Sequence, residues 1–334
     1  MPTSNLRNPG NFNRRTVLGA IAAGTVVPSV SLAQPAYPVK PIRLIVPFGP
    51  GSFTDVVSRQ IAALLSTALG QPVIMDNRPG GSTGVAAEAV ARAPADGYTL
   101  LIGTSGGMAA NPAGMKKSVP YDVERDFTPI SHIGSVIYAF LAHPSIPVKN
   151  MNELIQYARR NPGLKFGQGN QGGLIYMSML ASTEKLDMLN VPYQSGPPAM
   201  NALVAGTVDL MVNDINSALP LAKAGRLNIL AIAGSRRSPL APDVPTHLEA
   251  GLTKIRDVPG WIGLYGPAKL PPHIAALLSK EFNAVLQLPE MQAKAANVGL
   301  DIRGTTPEGL AQYTRDQTKL WKELIAEYQL KSDD

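Results

Sequence analysis

Eight residues, FGQGNQGG at 166–173, carry glycines in the spacing of a nucleotide-binding loop. Gly167, Gly169 and Gly172 spell G-x-G-x-x-G between a predicted short strand and a predicted helix. A dinucleotide site also requires an acidic residue at the end of the next strand, to bind a ribose hydroxyl. Asp187 has roughly the required spacing, but it precedes the next predicted strand. The pattern therefore favours an anion loop of another kind.

A second stretch, IRLIVPFGPGSFTDVV at 42–57, has the same construction of strand, Gly/Pro-rich turn and helix. Ser52 or Thr54 can cap this helix, and Asp55 lies in its first turn, where the helix dipole favours an acid. Free N–H groups at a helix N-terminus bind anions without help from Lys or Arg. Either loop alone is explained by a tight turn. Together they predict a clamp for a small molecule with carboxylates at its ends.

Polar residues also end two other predicted strands. Thr104 and Ser105 follow TLLIG, and Asn213 and Asp214 close VDLMVND. Ligands of open α/β sheets bind at the carboxyl ends of the strands, so we expect Thr104 and Ser105 to face the same cleft. Asp209 and Asp214, with Asn213 between them, could line the cleft or cap the following helix, and both interpretations stay open.

Residues suited to catalysis or metal binding are scarce. The chain has no cysteine, four scattered histidines and no G-x-S-x-G motif. The sequence therefore predicts no metal site, no cofactor and no enzymatic activity. An exported hydrolase or lyase that uses Asp55, Asp214 or Tyr176 is the competing interpretation.

Apolar strands alternate with helices in two series along the 334 residues. This alternation predicts parallel sheets covered by helices on both faces, in an α/β protein with two lobes. We expect the first lobe to comprise 34–138 and 260–334, and the second to comprise 139–259. The chain would then cross between the lobes twice, near 134–143 and 259–266, with a cleft between them.

The first 33 residues have the pattern of a secretory signal. Arg7, Arg14 and Arg15 precede the apolar run TVLGAIAAGTVV, which is too short to span a membrane, and cleavage is expected after Ala33. The Arg14–Arg15 pair leaves the twin-arginine and general export routes both open. Removing this segment lowers the formal net charge from +6 to +3, which is too weak to indicate nucleic-acid binding.

Long segments spread over nearly the whole chain carry a family resemblance. They include YPVKPIRLIVPFGPGSFTD, DNRPGGSTGVAAEAVARAPADGYTLLIGT, VPYQSGPPAMNALVAGTVDLMVND and WIGLYGPAKLPP, in that order. With them the chain resembles the Bug-type periplasmic substrate-binding receptors of tripartite tricarboxylate transporters. The resemblance implies a two-lobed periplasmic-binding-protein fold of the Venus flytrap, type II-like kind, with a two-crossing hinge.

The resemblance also implies a function and a site. Such receptors capture a small carboxylate (a di- or tricarboxylate, an amino acid or an aromatic acid) through backbone amides, and pass it to membrane transporter subunits. We expect a periplasmic monomer that does not bind nucleic acid. The expected ligand-binding residues are Phe48, Gly49, Pro50, Gly51, Ser52, Phe53, Thr54, Asp55, Thr104, Ser105, Gly169, Asn170, Gln171, Gly172, Gly173, Tyr176, Asn213 and Asp214.

Three residues depart from the family pattern. Members often have a small residue at the position of Phe53, and Ser and His at the positions of Gly173 and Tyr176. Phe53 and Tyr176 together make an aromatic or otherwise flat acid plausible as the ligand. A subunit that senses a ligand for a membrane kinase would use the same clamp, and the sequence does not separate this role from transport.

Overall fold

The computed structural model describes residues 37–330, so the predicted signal segment at 1–33 lies outside the described residues. The first of its two sheets has six strands in the order β11-β4-β10-β3-β1-β2. Their bounds are β1 Ile42–Val46, β2 Val73–Asn77, β3 Thr99–Thr104, β4 Phe127–Val136, β10 Gly260–Pro267 and β11 Leu300–Ile302. Strands β2, β1 and β3 are parallel, whereas β10 runs antiparallel to both β3 and β4.

The second sheet has five strands in the order β7-β6-β8-β5-β9. Their bounds are β5 Tyr138–Ala142, β6 Leu164–Gln168, β7 Met188–Pro192, β8 Leu210–Asp214 and β9 Asn228–Ala233. Strands β7, β6 and β8 are parallel, and β5 runs antiparallel to β8 and β9. Each sheet therefore has a parallel half, built as the alternating pattern predicts, and a half with antiparallel pairs.

The antiparallel strands correct the expectation of purely parallel sheets. One residue, Ile137, separates β4 in the first sheet from β5 in the second, and the chain returns after β9 to form β10. A strand that enters from the other sheet is not joined to its neighbour by a helical crossover, so it is free to pair antiparallel. The two crossings that the sequence predicts are confirmed.

Helices alternate with the strands in both series, as the sequence predicts. Their bounds are α1 Phe53–Leu69, α2 Gly84–Ala91, α3 Val123–Asp126, α4 Met151–Arg160, α5 Gln171–Glu184, α6 Gly196–Val204, α7 Ile215–Lys223, α8 Pro272–Gln287, α9 Pro289–Asn297 and α10 Pro307–Tyr328. Local signals set the ends of α1, because the Ser52 hydroxyl accepts a hydrogen bond from the Asp55 N–H and Gly70 adopts the left-handed conformation at φ 65°. None of the helices within 37–330 has the length and apolarity to cross a membrane.

A buried π-helix, Gly106–Met115, has no counterpart among the predicted elements. It contains Pro112, and Gly114 interrupts it at φ 112°. Both residues normally signal the end of a helix, which explains why its sequence pattern is uninformative. The π-helix packs against α10.

Candidate functional site

A cavity of about 340 Å³ lies between the two sheets, and we call it the cleft cavity. Both predicted loops line it, together with the ends of β3 and β8. The predicted site residues that it brings together are Phe48, Gly51, Ser52, Phe53, Thr54, Thr104, Ser105, Gly169, Asn170, Gln171, Gly172, Asn213 and Asp214. The predicted residues Gly49, Pro50, Asp55, Gly173 and Tyr176 are not among the lining residues.

Asp55 stabilises the first loop through hydrogen bonds made outside the cleft cavity. Its carboxylate accepts hydrogen bonds from the Gly51 N–H at 3.0 Å, from Arg59 Nε at 3.0 Å and from Asn77 Nδ2 at 2.9 Å. Asn77 Nδ2 also donates to the Phe48 carbonyl at 2.8 Å. Asp55 is 2% exposed, and these contacts hold both ends of the loop in place. The structure therefore gives Asp55 a positioning role in place of direct contact with the cleft cavity.

The environment of Asp55 keeps its side chain ionised. Burial alone would raise the pKa of Asp55, but hydrogen bonds from Arg59, Gly51 and Asn77 outweigh it and hold the pKa below the ordinary value. The carboxylate is then a charged acceptor for the Gly51 N–H, and such charge-assisted bonds are the stronger ones. The shape of the first loop thus depends on the ionised carboxylate of Asp55, which accepts these hydrogen bonds.

The second loop begins α5 and is built for close packing. Asn170 caps the helix, since its Oδ1 accepts from the Gly173 N–H at 2.8 Å. A Cβ atom at Gly169 would lie 2.7 Å from the Gly196 Cα, and one at Gly172 would lie 2.4 Å from the Tyr138 ring. Glycine is therefore required at these positions because neighbours approach closely, and the G-x-G-x-x-G spacing reflects that packing.

Asp214 performs both roles that the sequence leaves open, whereas Asn213 lines the cleft cavity without capping the helix. Asp214 Oδ1 accepts from the Ser217 N–H at 2.9 Å and caps α7, while the residue also lines the cleft cavity. Asn213 Oδ1 accepts from Asn170 Nδ2 at 3.2 Å and so joins the end of β8 to the second loop. Burial raises the pKa of Asp214 above its ordinary value.

Tyr176 lies in the core, and its predicted place at the cleft is corrected. It is 0% exposed, its hydroxyl donates to Asp257 Oδ1 at 3.1 Å, and the hydroxyl oxygen accepts from the Val258 N–H at 3.0 Å. Burial raises the pKa of Tyr176 well above its ordinary value, with the charge of Asp257 adding to the effect. Gly173 is packed against strand β8 in the same way, because a Cβ atom there would lie 2.6 Å from the Val212 carbonyl oxygen. Both residues pack α5 onto its neighbours.

Two aromatic residues line the cleft cavity without having been predicted. Tyr138 follows the first crossing and Trp261 follows the second, so the floor of the cavity is formed by the crossing strands. Trp261 is 1% exposed, and its indole Nε1 has no hydrogen-bond partner. The predicted crossings were the signal that could have identified them, because a strand that joins two lobes must pass the base of the cleft.

A hydrogen bond joins the second loop to the opposite side of the cleft, beside the cleft cavity. Gln171 Nε2, at the start of α5, donates to the Ser82 carbonyl at 3.3 Å, and Asn111 Nδ2 donates to the same oxygen at 2.8 Å. Ser82 and Thr83 both have positive φ angles, 50° and 77°. This sparsely populated conformation presents the Ser82 carbonyl to both amide donors.

The polar groups of the cleft cavity suit an anion without supplying a cation. Its lining residues, all within the described part of the chain, include hydroxyls, amides, one carboxylate and the N-terminal turns of α1 and α5, but no Lys, Arg or His. The described residues also contain no group of His, Asp and Glu that could hold a metal ion. The first turns of α6 and α7 also line the cavity, so backbone N–H groups at helix N-termini are the main source of positive potential.

The model of the tripartite tricarboxylate transporter family receptor matches residues 57–330 of this chain. The chain belongs to this receptor family. Three solved structures share the receptor's fold, and each aligns with 86–89% of this chain. The periplasmic binding protein BugD is 28% identical, with all of its chain covered and a TM-score of 0.83. R. palustris Rpa4515 with adipate is 30% identical (98% covered, TM-score 0.84), and MatC from Rhodopseudomonas palustris with bound malate is 32% identical (100% covered, TM-score 0.80). The predicted Bug-type family and two-lobed periplasmic-binding-protein fold are confirmed.

Proposed function

We propose that this receptor captures a small carboxylate in the cleft cavity, in the periplasm, and presents it to membrane transporter subunits. The observation that carries the proposal is the pair of glycine loops, at the N-termini of α1 and α5, that face one cavity without a cationic side chain. Adipate and malate in the two R. palustris relatives support the same ligand class. A volume of about 340 Å³ suits a compact acid.

The binding energy would come from N–H groups that are already oriented. Hydrogen bonds between a carboxylate and neutral donors contribute about 1.5–3 kcal/mol each, so a few bonds at each end of the ligand yield micromolar affinity. We further propose that 34–138 with 260–334 moves as one lobe and 139–259 as the other. Closure would bring the second loop onto a ligand already held by the first, and the ligand would leave chemically unchanged.

Three aromatic rings narrow the ligand class. Phe53, Tyr138 and Trp261 all line the cleft cavity, and rings favour flat partners that stack on them. We propose a flat or aromatic acid before an aliphatic one. Trp261 Nε1 is buried without a hydrogen-bond partner, and we propose that it donates to a polar group of the ligand.

Isothermal titration with malate, adipate, benzoate and phthalate tests the proposal. Binding by any one of these acids, with the acid recovered unchanged by chromatography, supports capture of a carboxylate. Met200→Trp places a large ring in the cleft cavity and should weaken binding by at least about ten-fold. Met188→Trp changes the same residue type on the edge strand β7, outside the cavity, and should bind normally. Equal binding by both variants would place the ligand elsewhere, and steady turnover of the acid would refute capture without chemistry.

A further inference from the structure

A second cavity, of about 750 Å³, lies where the chain crosses between the sheets, and we call it the hinge cavity. Strand β4, strand β11 and helix α10 form one side of it, and the end of β9 with the following loop forms the other. Val136 lines both this cavity and the cleft cavity, and no other lining residue is shared. The hinge cavity is therefore a separate space that touches the cleft cavity through one side chain.

Two guanidinium groups at the hinge cavity share a single carboxylate. Asp301 Oδ2 accepts from Arg303 Nη2 at 2.7 Å and from Arg236 Nη2 at 3.3 Å. A third lining arginine, Arg237, is engaged separately by both carboxylate oxygens of Glu249. A second carboxylate, Asp257, also lines the hinge cavity, so Asp301 and Asp257 together balance the charges of Arg236 and Arg303. Each arginine nevertheless carries five N–H donors, and Arg236 and Arg303 each donate only one of them to Asp301, which leaves donors for an anion.

His132 adds a buried group that lacks a partner. The residue lines the hinge cavity and is 4% exposed, and its Nε2 makes no hydrogen bond. Its ring packs on Tyr313, with ring centroids 4.7 Å apart. Burial lowers the pKa of His132 to about 4, and the charge of Arg303 contributes, so the imidazole is neutral near pH 7. An unpaired buried nitrogen is costly, and a ligand atom at this position would relieve that cost.

The rest of the hinge cavity is mainly apolar. Ile137, Ile232, Leu240, Ala296 and Leu300 contribute hydrocarbon surface from both sides of the crossing. Such a wall favours the body of a ligand and the arginines favour its head. We propose that the hinge cavity binds an amphipathic organic anion, with one carboxylate head held by Arg236, Arg303 and His132 and an apolar body lying between β9 and β11.

Calorimetric titration of the receptor with octanoate, beside the uncharged octanamide, tests this assignment. We expect octanoate to bind the wild-type receptor and Met200→Trp alike, because Met200 belongs to the cleft cavity. Octanamide should bind at least about ten-fold more weakly, since it lacks the charged head. Arg236→Gln with Arg303→Gln should lower the octanoate affinity by a similar factor.

A matched pair of arginines provides the control. Arg159→Gln with Arg160→Gln removes the same charge from the exposed end of α4 and should leave octanoate binding unchanged. Leu240→Trp keeps both hinge arginines but fills the apolar part, and it should weaken octanoate as well. The assignment is overturned if octanoate does not bind, if it binds the Arg236/Arg303 double variant as well as the wild type, or if Met200→Trp abolishes its binding.

Discussion

Replacement of His132 by phenylalanine should make the receptor less sensitive to acid. In the folded state burial lowers the pKa of His132 to about 4, from an ordinary value of 6.5. Arg303 lowers it further and Asp301 partly opposes this, while the uncharged rings of Tyr313 and Trp261 pack on either side. The unfolded chain therefore binds a proton at this site more readily than the folded protein does.

The sign and size of the effect follow from that difference. A depressed folded-state pKa contributes stability that is present above pH 6.5 and is lost as the pH falls through about 4. The pKa difference of roughly 2.5 corresponds to about 3.5 kcal/mol in full, at about 1.4 kcal/mol per pH unit, and most of it is lost by pH 4. Between neutral pH and about pH 4, the wild type should lose about 3 kcal/mol more of its free energy of unfolding than His132→Phe loses.

Urea denaturation at neutral pH and at about pH 4 measures both free energies of unfolding. His273→Gln removes an exposed imidazole and controls for the loss of a histidine at the surface. The reasoning is refuted if wild type and His132→Phe lose the same stability on acidification. In that case the acid sensitivity would belong to other groups, and the neutral state of His132 in the hinge cavity would be unsupported.

Two further substitutions test the packing and the contact across the cleft. Tyr176→Phe should lower the free energy of unfolding by about 1–3 kcal/mol in urea titrations, because it leaves the buried Val258 N–H without the Tyr176 hydroxyl and removes a hydrogen bond to Asp257. A stability unchanged by the loss of the hydroxyl would contradict this. Gln171→Ala removes the hydrogen bond to Ser82 and should change the free energy of unfolding by less than about 1 kcal/mol. X-ray scattering of the unliganded variant should show a larger radius of gyration than that of the wild type. Identical radii would mean that this bond does not hold the cleft closed.

The elements of the fold were predictable where local signals agree. Helix α1 has an N-cap at Ser52 and a left-handed Gly70 after its last turn, so its ends are encoded within the helix itself. The π-helix was not predictable, since Pro112 and Gly114 signal a break that tertiary packing overrides. Strand direction in β4, β5 and β10 depends on which sheet the chain enters, and periodicity carries no information about that.

The residues of the candidate site also fall into those that the sequence predicts and those that it does not. The two loops were identifiable because strand, turn and cap are contiguous in the chain. Tyr176 was misplaced because α5 is apolar on nearly all sides, so its sequence does not indicate which face meets the cleft. Tyr138 and Trp261 reach the cleft cavity from strands that are far apart in sequence, and their contribution becomes visible only once the sheets are assembled.

The absence of Lys, Arg and His from the described lining of the cleft cavity bears on how such a receptor can diversify. Almost every substitution leaves the backbone N–H in place, so carboxylate binding cannot be lost by exchanging one charged residue for another. Side chains such as Phe53 and Met200 are then free to vary and to change which acid fits. A duplicated gene could acquire a new substrate in a few substitutions while retaining anion binding throughout.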